Sequence, residues 1–367
     1  MKFKEVSITS DGLNVEFSNG IKDCFPFLWL RDHCKDDVNW DERSSQRKLF
    51  TALIDPNIKV SNVKIIQDSD ELEVKWPDME SAVFYSSKFL FQNSFGNNHV
   101  GNSLEVWDNT KISKNTIEID YSSLNKNSGF EGLLKVIKTF GFSVINNCPK
   151  DMSSVEFIAN KIGYVRNSIF GGLWSFESNS DMADSAYTQE ELRPHTDGTY
   201  NHDAPGLQLL LCCDYDAQGG ESIMVDGLKI AEEIQKNDKA CYNFLSEVDI
   251  PGRYYGDGVE LLAKRPVFRQ NKQKEIIQVS FNNYDRADFR LPNDQISNFY
   301  NSIRTFDKIA NDKSMQWRKI LEPGQLLIFD NWRILHGRSE FSGKRRMSGC
   351  YINKEDFESA CRMYNIN

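Results

Sequence analysis

Histidine is scarce, five in all (His33, His99, His195, His202 and His336), so its placement is informative, and His195 and His336 stand where a metal could be held. In Pro194-His195-Thr196-Asp197 an imidazole and a carboxylate lie two residues apart, and in an extended segment such residues share a face. His336 follows a strongly apolar run and the turn-like Phe329-Asp330-Asn331-Trp332. Two imidazoles and one carboxylate occupy one side of a metal and leave its other positions open. That is the arrangement of non-haem Fe(II) oxygenases, whose co-substrate and O2 take the open positions. Taken alone, His-x-Asp reads more simply as surface or capping residues. Arg345 and Arg346 change the weighing, since they lie a short hairpin beyond His336 at the entry to the apolar run Met347 to Ile352. A guanidinium there could fork onto a carboxylate. Without the upstream ligands, Lys344-Arg345-Arg346 reads as a solvated basic turn.

The elements that must position these groups read as strand and turn from Gly206 onward. Strands are expected at Leu207 to Cys213, Ser222 to Val225, Glu275 to Phe281, Gln325 to Phe329 and Met347 to Ile352. Helices are expected near Gly227 to Gln235, Asp294 to Ala310 and Lys354 to Arg362. With no regular βαβ alternation, this predicts an antiparallel barrel or sandwich decorated by helices. Upstream lie a helix at Gly132 to Thr139, a strand at Phe140 to Ile145 and a helix at Ser153 to Ile162. Lys4 to Ile8, Leu13 to Phe17, Val60 to Ile66, Glu71 to Trp76 and Ala82 to Tyr85 make a β-rich N-terminal module broken by turn signals. Phe95 to Ser128, rich in Asn, Ser and Lys, is expected to be a surface connection. The organisation expected is therefore a small β-rich domain over residues 1–100 and a catalytic domain over 115–367.

Acidic residues outnumber basic ones, 53 to 44, giving a net charge of −9. A nucleic-acid partner needs a basic face, so none is expected. The composition, 40% hydrophobic and 26% charged, is that of a globular chain. The longest apolar runs fall far short of the roughly 20 residues a membrane helix needs. Met1 to Asp11 has neither an apolar nor an Arg-rich leader, and the expected location is cytoplasmic. The eight scattered cysteines are accordingly expected to be reduced.

Several motifs, in order, resemble those of the γ-butyrobetaine hydroxylase and trimethyllysine dioxygenase family of Fe(II)/2-oxoglutarate oxygenases. They are His195-Thr196-Asp197, Gly219-Gly220-Glu221-Ser222, Val225-Asp226-Gly227, Phe329-Asp330-Asn331-Trp332-Arg333 and Leu335-His336-Gly337-Arg338. Ala186-Tyr187-Thr188, Asn282-Asn283-Tyr284-Asp285-Arg286-Ala287 and Ser348-Gly349-Cys350-Tyr351 look closer to the trimethyllysine branch. Trp29-Leu30-Arg31-Asp32 and Trp76-Pro77-Asp78 carry the resemblance into the N-terminal module. It implies a double-stranded β-helix, or jelly-roll, catalytic domain and a homodimer. It also implies iron ligands His195, Asp197 and His336, and pairing of the far carboxylate of 2-oxoglutarate by Arg345 rather than Arg346. Asp184 and Ser222 fall near the co-substrate in the family, although Ser222 equally suits an ordinary strand.

Family substrates carry a quaternary ammonium, which ring faces can hold. Trp174 and Tyr187 match the family's aromatic cage region, with Phe170 and Tyr351 next to them, and Tyr200 and Tyr284 are further candidates; each taken singly also suits core packing. Asn282, Asn283 and Arg286 either meet the polar end of the substrate or form a turn. Two departures from the family pattern stand out. Gly198 replaces an aromatic residue of the butyrobetaine branch, which is expected to enlarge the pocket or move the cage. The family's N-terminal zinc ligands, three Cys and one His, are reduced to Cys34, with Asn39 and Glu80 at positions where ligands would be expected, so no zinc is expected.

The implied reaction is hydroxylation of an unactivated C–H, with N6-trimethyllysine to its 3-hydroxy form, a step of carnitine biosynthesis, as the first expectation. γ-Butyrobetaine or a trimethylammonio phosphonate is the alternative substrate. Rival classes are a non-catalytic cupin-like binding protein and a zinc hydrolase working without O2.

Overall fold

Leu207, Leu209, Leu211 and Cys213 project from one face of the strand Leu207–Gly219, and Gln208, Leu210 and Cys212 from the other. Both faces find partners, which explains why the run reads as continuously apolar rather than alternating. The protein is described from a computed structural model over residues 1–95, 104–177, 189–256 and 258–366. It divides into two units, Met1–Gly101 and Asn102–Asn367.

In the second unit the larger sheet runs Val165–Arg166, Phe341–Ile352, Leu207–Gly219, Leu326–Asp330, Phe142–Asn146, Glu118–Asp120, with Leu173–Glu177 also paired to Phe341–Ile352. A smaller sheet runs Leu192–His195, Ile334–Arg338, Ser222–Asp226, Gln316–Lys319. Phe142, Val144, Leu327, Phe329 and Met347 from the first sheet meet Met224 and Ile334 from the second in a shared core. Helices Asn127–Phe140, Met152–Ile162 and Lys354–Met363 cover the outer face of the larger sheet, receiving Leu207, Leu209, Leu211, Leu326 and Ile328. Helices Gly227–Asn237, Lys239–Glu247 and Asn293–Ala310 cover the outer face of the smaller one, receiving Ile223, Val225 and Leu335. Two facing sheets clad by helices, antiparallel except where the edge strand Glu118–Asp120 runs parallel to Phe142–Asn146, form the expected double-stranded β-helix. The helix Lys239–Glu247 and the hairpin of Ile250–Gly256 with Val259–Arg265 were not anticipated.

One expectation is corrected. The segment after residue 103 was read as a surface connection, yet Trp107, Ile112 and Ile117 are buried in the core of the second unit. The Trp107 backbone N–H donates to Asp226 at 3.1 Å and its indole N–H to the Phe140 carbonyl at 2.7 Å. Asp226, fully buried, caps its helix at Leu228 and pairs with Nη2 of buried Arg333 at 2.7 Å; Nη2 also donates to the Glu105 carbonyl and Nη1 to the Thr139 carbonyl. The second unit therefore begins before residue 115. A single Trp and two Ile in a polar run left little periodic signal, and a buried ion pair supplies the anchor.

The first unit holds two three-stranded antiparallel sheets: Phe3–Ile8, Gly12–Phe17 and Lys22–Pro26, and Asn62–Ile66, Glu71–Lys75 and Val83–Ser86. Their apolar faces share a core with the unpredicted helices Phe27–Asp32 and Ser87–Gln92. Cys34 sits there with its sulfur 3.0 Å from the Tyr85 hydroxyl, and burial raises its pKa. Asn39 is committed to Asp36 and Arg31, Arg31 to Asp78, and Glu80 is exposed. This donor set does not fit a closed zinc site, which needs four converging N or S ligands. No helix among the described residues is long and apolar enough to cross a membrane.

Candidate active site

Pairing of Leu192–His195 with Ile334–Arg338 sets His195 directly opposite His336, with ring centroids 4.3 Å apart. Asp197 follows in the turn that leaves the strand. Its Oδ1 lies 3.5 Å from His195 Nε2 and 3.7 Å from His336 Nε2. His195 Nδ1 contacts the Arg193 carbonyl at 2.8 Å, so Nδ1 carries a proton and Nε2 is the nitrogen that faces Asp197. Thr196 stitches the turn to Phe281, donating its N–H at 2.8 Å and accepting the Phe281 N–H at 2.9 Å on its hydroxyl. Gly198 takes φ +71°, and a Cβ there would meet Pro205 at 2.6 Å and Asn201 at 2.9 Å. The turn therefore requires glycine; the residue does not simply vacate space for a substrate.

Burial works against charge at all three groups. It would raise the Asp197 carboxyl, but His336, His195 and the Tyr351 hydroxyl hold it well below the usual range. Burial pushes His336 down to about 4, whereas Asp197 outweighs burial at His195 and raises it. Two imidazoles, one of them strongly favoured neutral, and an ionised carboxylate converge with their ligand atoms within 4.8 Å of one another. This N,N,O set fits Fe(II).

The three residues open onto a cavity of about 520 Å³. Arg345 and Ser222 line it, 8% and 6% exposed. The Arg345 guanidinium rests over Phe341 at 5.4 Å, and its Nη1 has no hydrogen-bond partner. Burial lowers its pKa. Arg346, one residue on and so on the opposite face, turns out to Asp214 at 2.6 Å. The strand register thus puts Arg345, and not Arg346, on the cavity wall.

Arg338 is a second cation on the cavity wall that the sequence reading left without a role. It lies over the same Phe341 ring at 4.8 Å and donates to the Glu190 carbonyl at 2.7 Å. Burial and the charge of Arg345 push it down to about 10. Gln208 was also passed over, although a single polar residue inside Leu207 to Cys213 is a signal. It is buried on the cavity side, with its side-chain oxygen unpartnered.

Of the aromatic candidates, Phe170, Trp174, Tyr200, Tyr284 and Tyr351 all line the cavity. Trp174 packs 5.8 Å from Tyr351 between ring centroids. Tyr284 accepts the Arg193 N–H at 3.0 Å and sets its ring edge against His195. Asn282 reaches the cavity, but its amide holds its own loop through Asp285 at 2.8 Å and the Tyr284 N–H at 2.8 Å. Asn283 and Arg286 are not brought to this cavity; both line a separate, much smaller pocket beside Thr199. Asp184 and Tyr187 lie outside the described residues.

Fold and site together define a 2-oxoglutarate-dependent dioxygenase that uses Fe(II) and O2. Residues 106–351 match the family model described as "Taurine catabolism dioxygenase TauD, TfdA family", and residues 5–91 match "Gamma-butyrobetaine hydroxylase-like, N-terminal". The chain belongs to the TauD, TfdA family. It is 30% identical to a trimethyllysine dioxygenase of Meyerozyma guilliermondii over 100% of this chain and 96% of that one. It is 29% identical to a gamma-butyrobetaine dioxygenase of Pseudomonas sp. (strain AK-1), covering 95% and 93%. A crystal structure from Burkholderia xenovorans, assigned to the alpha-ketoglutarate-dependent taurine dioxygenases, superposes with a TM-score of 0.51 at 11% identity over 65% of this chain and 90% of that one. That likeness is one of fold.

Proposed function

We propose that the protein hydroxylates N6-trimethyllysine to 3-hydroxy-N6-trimethyllysine. One observation carries this reading: a single cavity joins the His195, Asp197 and His336 ligand atoms, the buried Arg345 guanidinium and the faces of Phe170, Trp174, Tyr200 and Tyr351. Full-length likeness to a trimethyllysine dioxygenase supports the choice of substrate. Iron with 2-oxoglutarate and O2 supplies the oxidising chemistry, replacing C–H by C–OH while 2-oxoglutarate becomes succinate and CO2.

The protein's own groups bind and orient. His195 Nε2, His336 Nε2 and Asp197 would hold the metal. Arg345 takes the far carboxylate of 2-oxoglutarate through charge-assisted hydrogen bonds, with Ser222 lining the same cavity, and Arg338, over the same Phe341 ring, adds positive potential. A trimethylammonium group has no N–H to donate, so ring faces hold it. The side chains need no general base. Their task is to hold the reacting carbon in place and to keep water out.

The test is turnover of the Fe(II)-loaded protein with 2-oxoglutarate and O2 against trimethyllysine, γ-butyrobetaine and a trimethylammonio phosphonate. Succinate and a mass gain of one oxygen are read together. Coupled turnover on trimethyllysine is expected; preference for butyrobetaine, the substrate named for the Pseudomonas relative, would reverse the order. A homodimer in the cytoplasm completes the proposal. The dimer rests on the family resemblance, and the compartment on eight free cysteines, seven of them buried. Light scattering and cell fractionation test these two points.

A further inference from the structure

Asp197 is gripped from three directions by the Asn331 side chain and the Tyr351 hydroxyl, neither of which has a part in the chemistry proposed so far. Asn331, 1% exposed, accepts the Asp197 N–H on its Oδ1 at 2.8 Å. Its Nδ2 donates back to the Asp197 carbonyl at 3.0 Å and to the Pro205 carbonyl at 2.9 Å. One amide thus holds both polar groups of a single residue's backbone and ties it to the chain that returns from the turn. The third grip is at the carboxylate itself. The Tyr351 hydroxyl donates to Asp197 Oδ2 at 2.8 Å, while Oδ1 is the oxygen that faces both imidazole Nε2 atoms.

The two carboxylate oxygens therefore have different occupations. Oδ2 is engaged by a hydroxyl and Oδ1 is left for a cation. A carboxylate free to rotate could present both oxygens and take one more metal position; a hydrogen bond on one oxygen opposes that. Asn331 fixes where the carboxylate starts from, and Tyr351 fixes which oxygen it presents. Tyr351 can do this because the period-two register of Phe341–Ile352 sets it on the cavity side beside Gln208. Its ring also lines the cavity.

We infer that Tyr351 and Asn331 are positioning residues for the metal-binding carboxylate, and that the Tyr351 hydroxyl keeps Asp197 a one-oxygen ligand. The inference rests on the proposed role of His195, Asp197 and His336, and the experiment separates the two. Metal-free protein is titrated anaerobically with Co(II), following the ligand-field absorption, for the wild type, Tyr351→Phe, Asn331→Ala and Asp197→Ala.

The expected result for Tyr351→Phe is a metal dissociation constant raised about 10-fold, with an altered Co(II) spectrum and an unchanged melting temperature of the metal-free protein. The substrate KM, governed by the retained ring, should shift less than the metal affinity. A merely structural role for the hydroxyl would move the melting temperature and leave the spectrum alone. Asn331→Ala should also weaken metal binding; if it fails to fold, Tyr351→Phe decides by itself. Wild-type Co(II) affinity and spectrum in Tyr351→Phe, with binding lost in Asp197→Ala, overturns the inference and leaves the ligand assignment standing. Unchanged binding in Asp197→Ala overturns the assignment itself.

Discussion

A buried guanidinium without a described carboxylate partner is an expensive thing for a protein to keep. Arg345 is such a group, since ring contact with Phe341 offsets only part of its desolvation. Under the proposed role, bound 2-oxoglutarate would repay the rest, which sets two opposite expectations for Arg345→Met. The 2-oxoglutarate KM should rise about 10- to 100-fold, the worth of a charge-assisted hydrogen bond at about 1.5–3 kcal/mol. The melting temperature measured without co-substrate should rise, because an unpaired buried charge is gone. Calorimetry with and without 2-oxoglutarate reads both. Trp174 lines the same cavity, where the proposal gives it the trimethylammonium group. Trp174→Leu should raise KM for the trimethylammonium substrate about 10-fold, in keeping with about 1–2 kcal/mol for a desolvated cation–π contact. Binding of 2-oxoglutarate, measured anaerobically by titration, should be unaffected.

The strands convert those residues into a site. Leu209 points away from the cavity into the helices and is fully buried. Leu209→Ala should destabilise the second unit by about 3 kcal/mol, read as a lowered denaturant midpoint. Gly349 plays a quieter part, as a Cβ there would sit 2.2 Å from the Leu209 carbonyl oxygen and 2.3 Å from the Trp174 ring. Gly349→Ala should therefore push the indole off its strand and raise the substrate KM while leaving the metal site intact, checked by steady-state kinetics and Co(II) binding.

The same elements show what was legible in advance. Leu207 to Cys213 and Leu326 to Phe329 announced themselves because both of their faces are buried, and His-x-Asp needed only a strand end to be read. The choice between Arg345 and Arg346 came from resemblance, and register supplies its physical reason. Trp107 was misread because the burial of one ring in a polar segment is decided by a distant pair, Asp226 with Arg333. For Asn283 and Arg286 the sequence left two readings open, because a turn decides by one residue which pocket a side chain reaches. The Tyr351 hydroxyl was invisible because sequence reports a ring, not what its oxygen touches.

At the scale of the whole molecule, two separate cores predict two separable melting transitions. Mn(II) with 2-oxoglutarate, in the absence of O2, should raise only the transition of the second unit. Ligand at 100 times its dissociation constant contributes about 2.7 kcal/mol. Scanning calorimetry would show it, and a shift of both transitions would contradict the assignment of the ligand set to the second unit.

Pairing His195 with His336, and Leu207–Gly219 with Phe341–Ile352, closes the site with contacts between distant parts of the chain. During synthesis the first unit can fold while the ribosome is still at work. The iron pocket cannot, because two of its walls emerge late. Metal capture is therefore a step of maturation, and a message truncated before residue 336 would yield a folded first unit with nothing behind it able to hold iron.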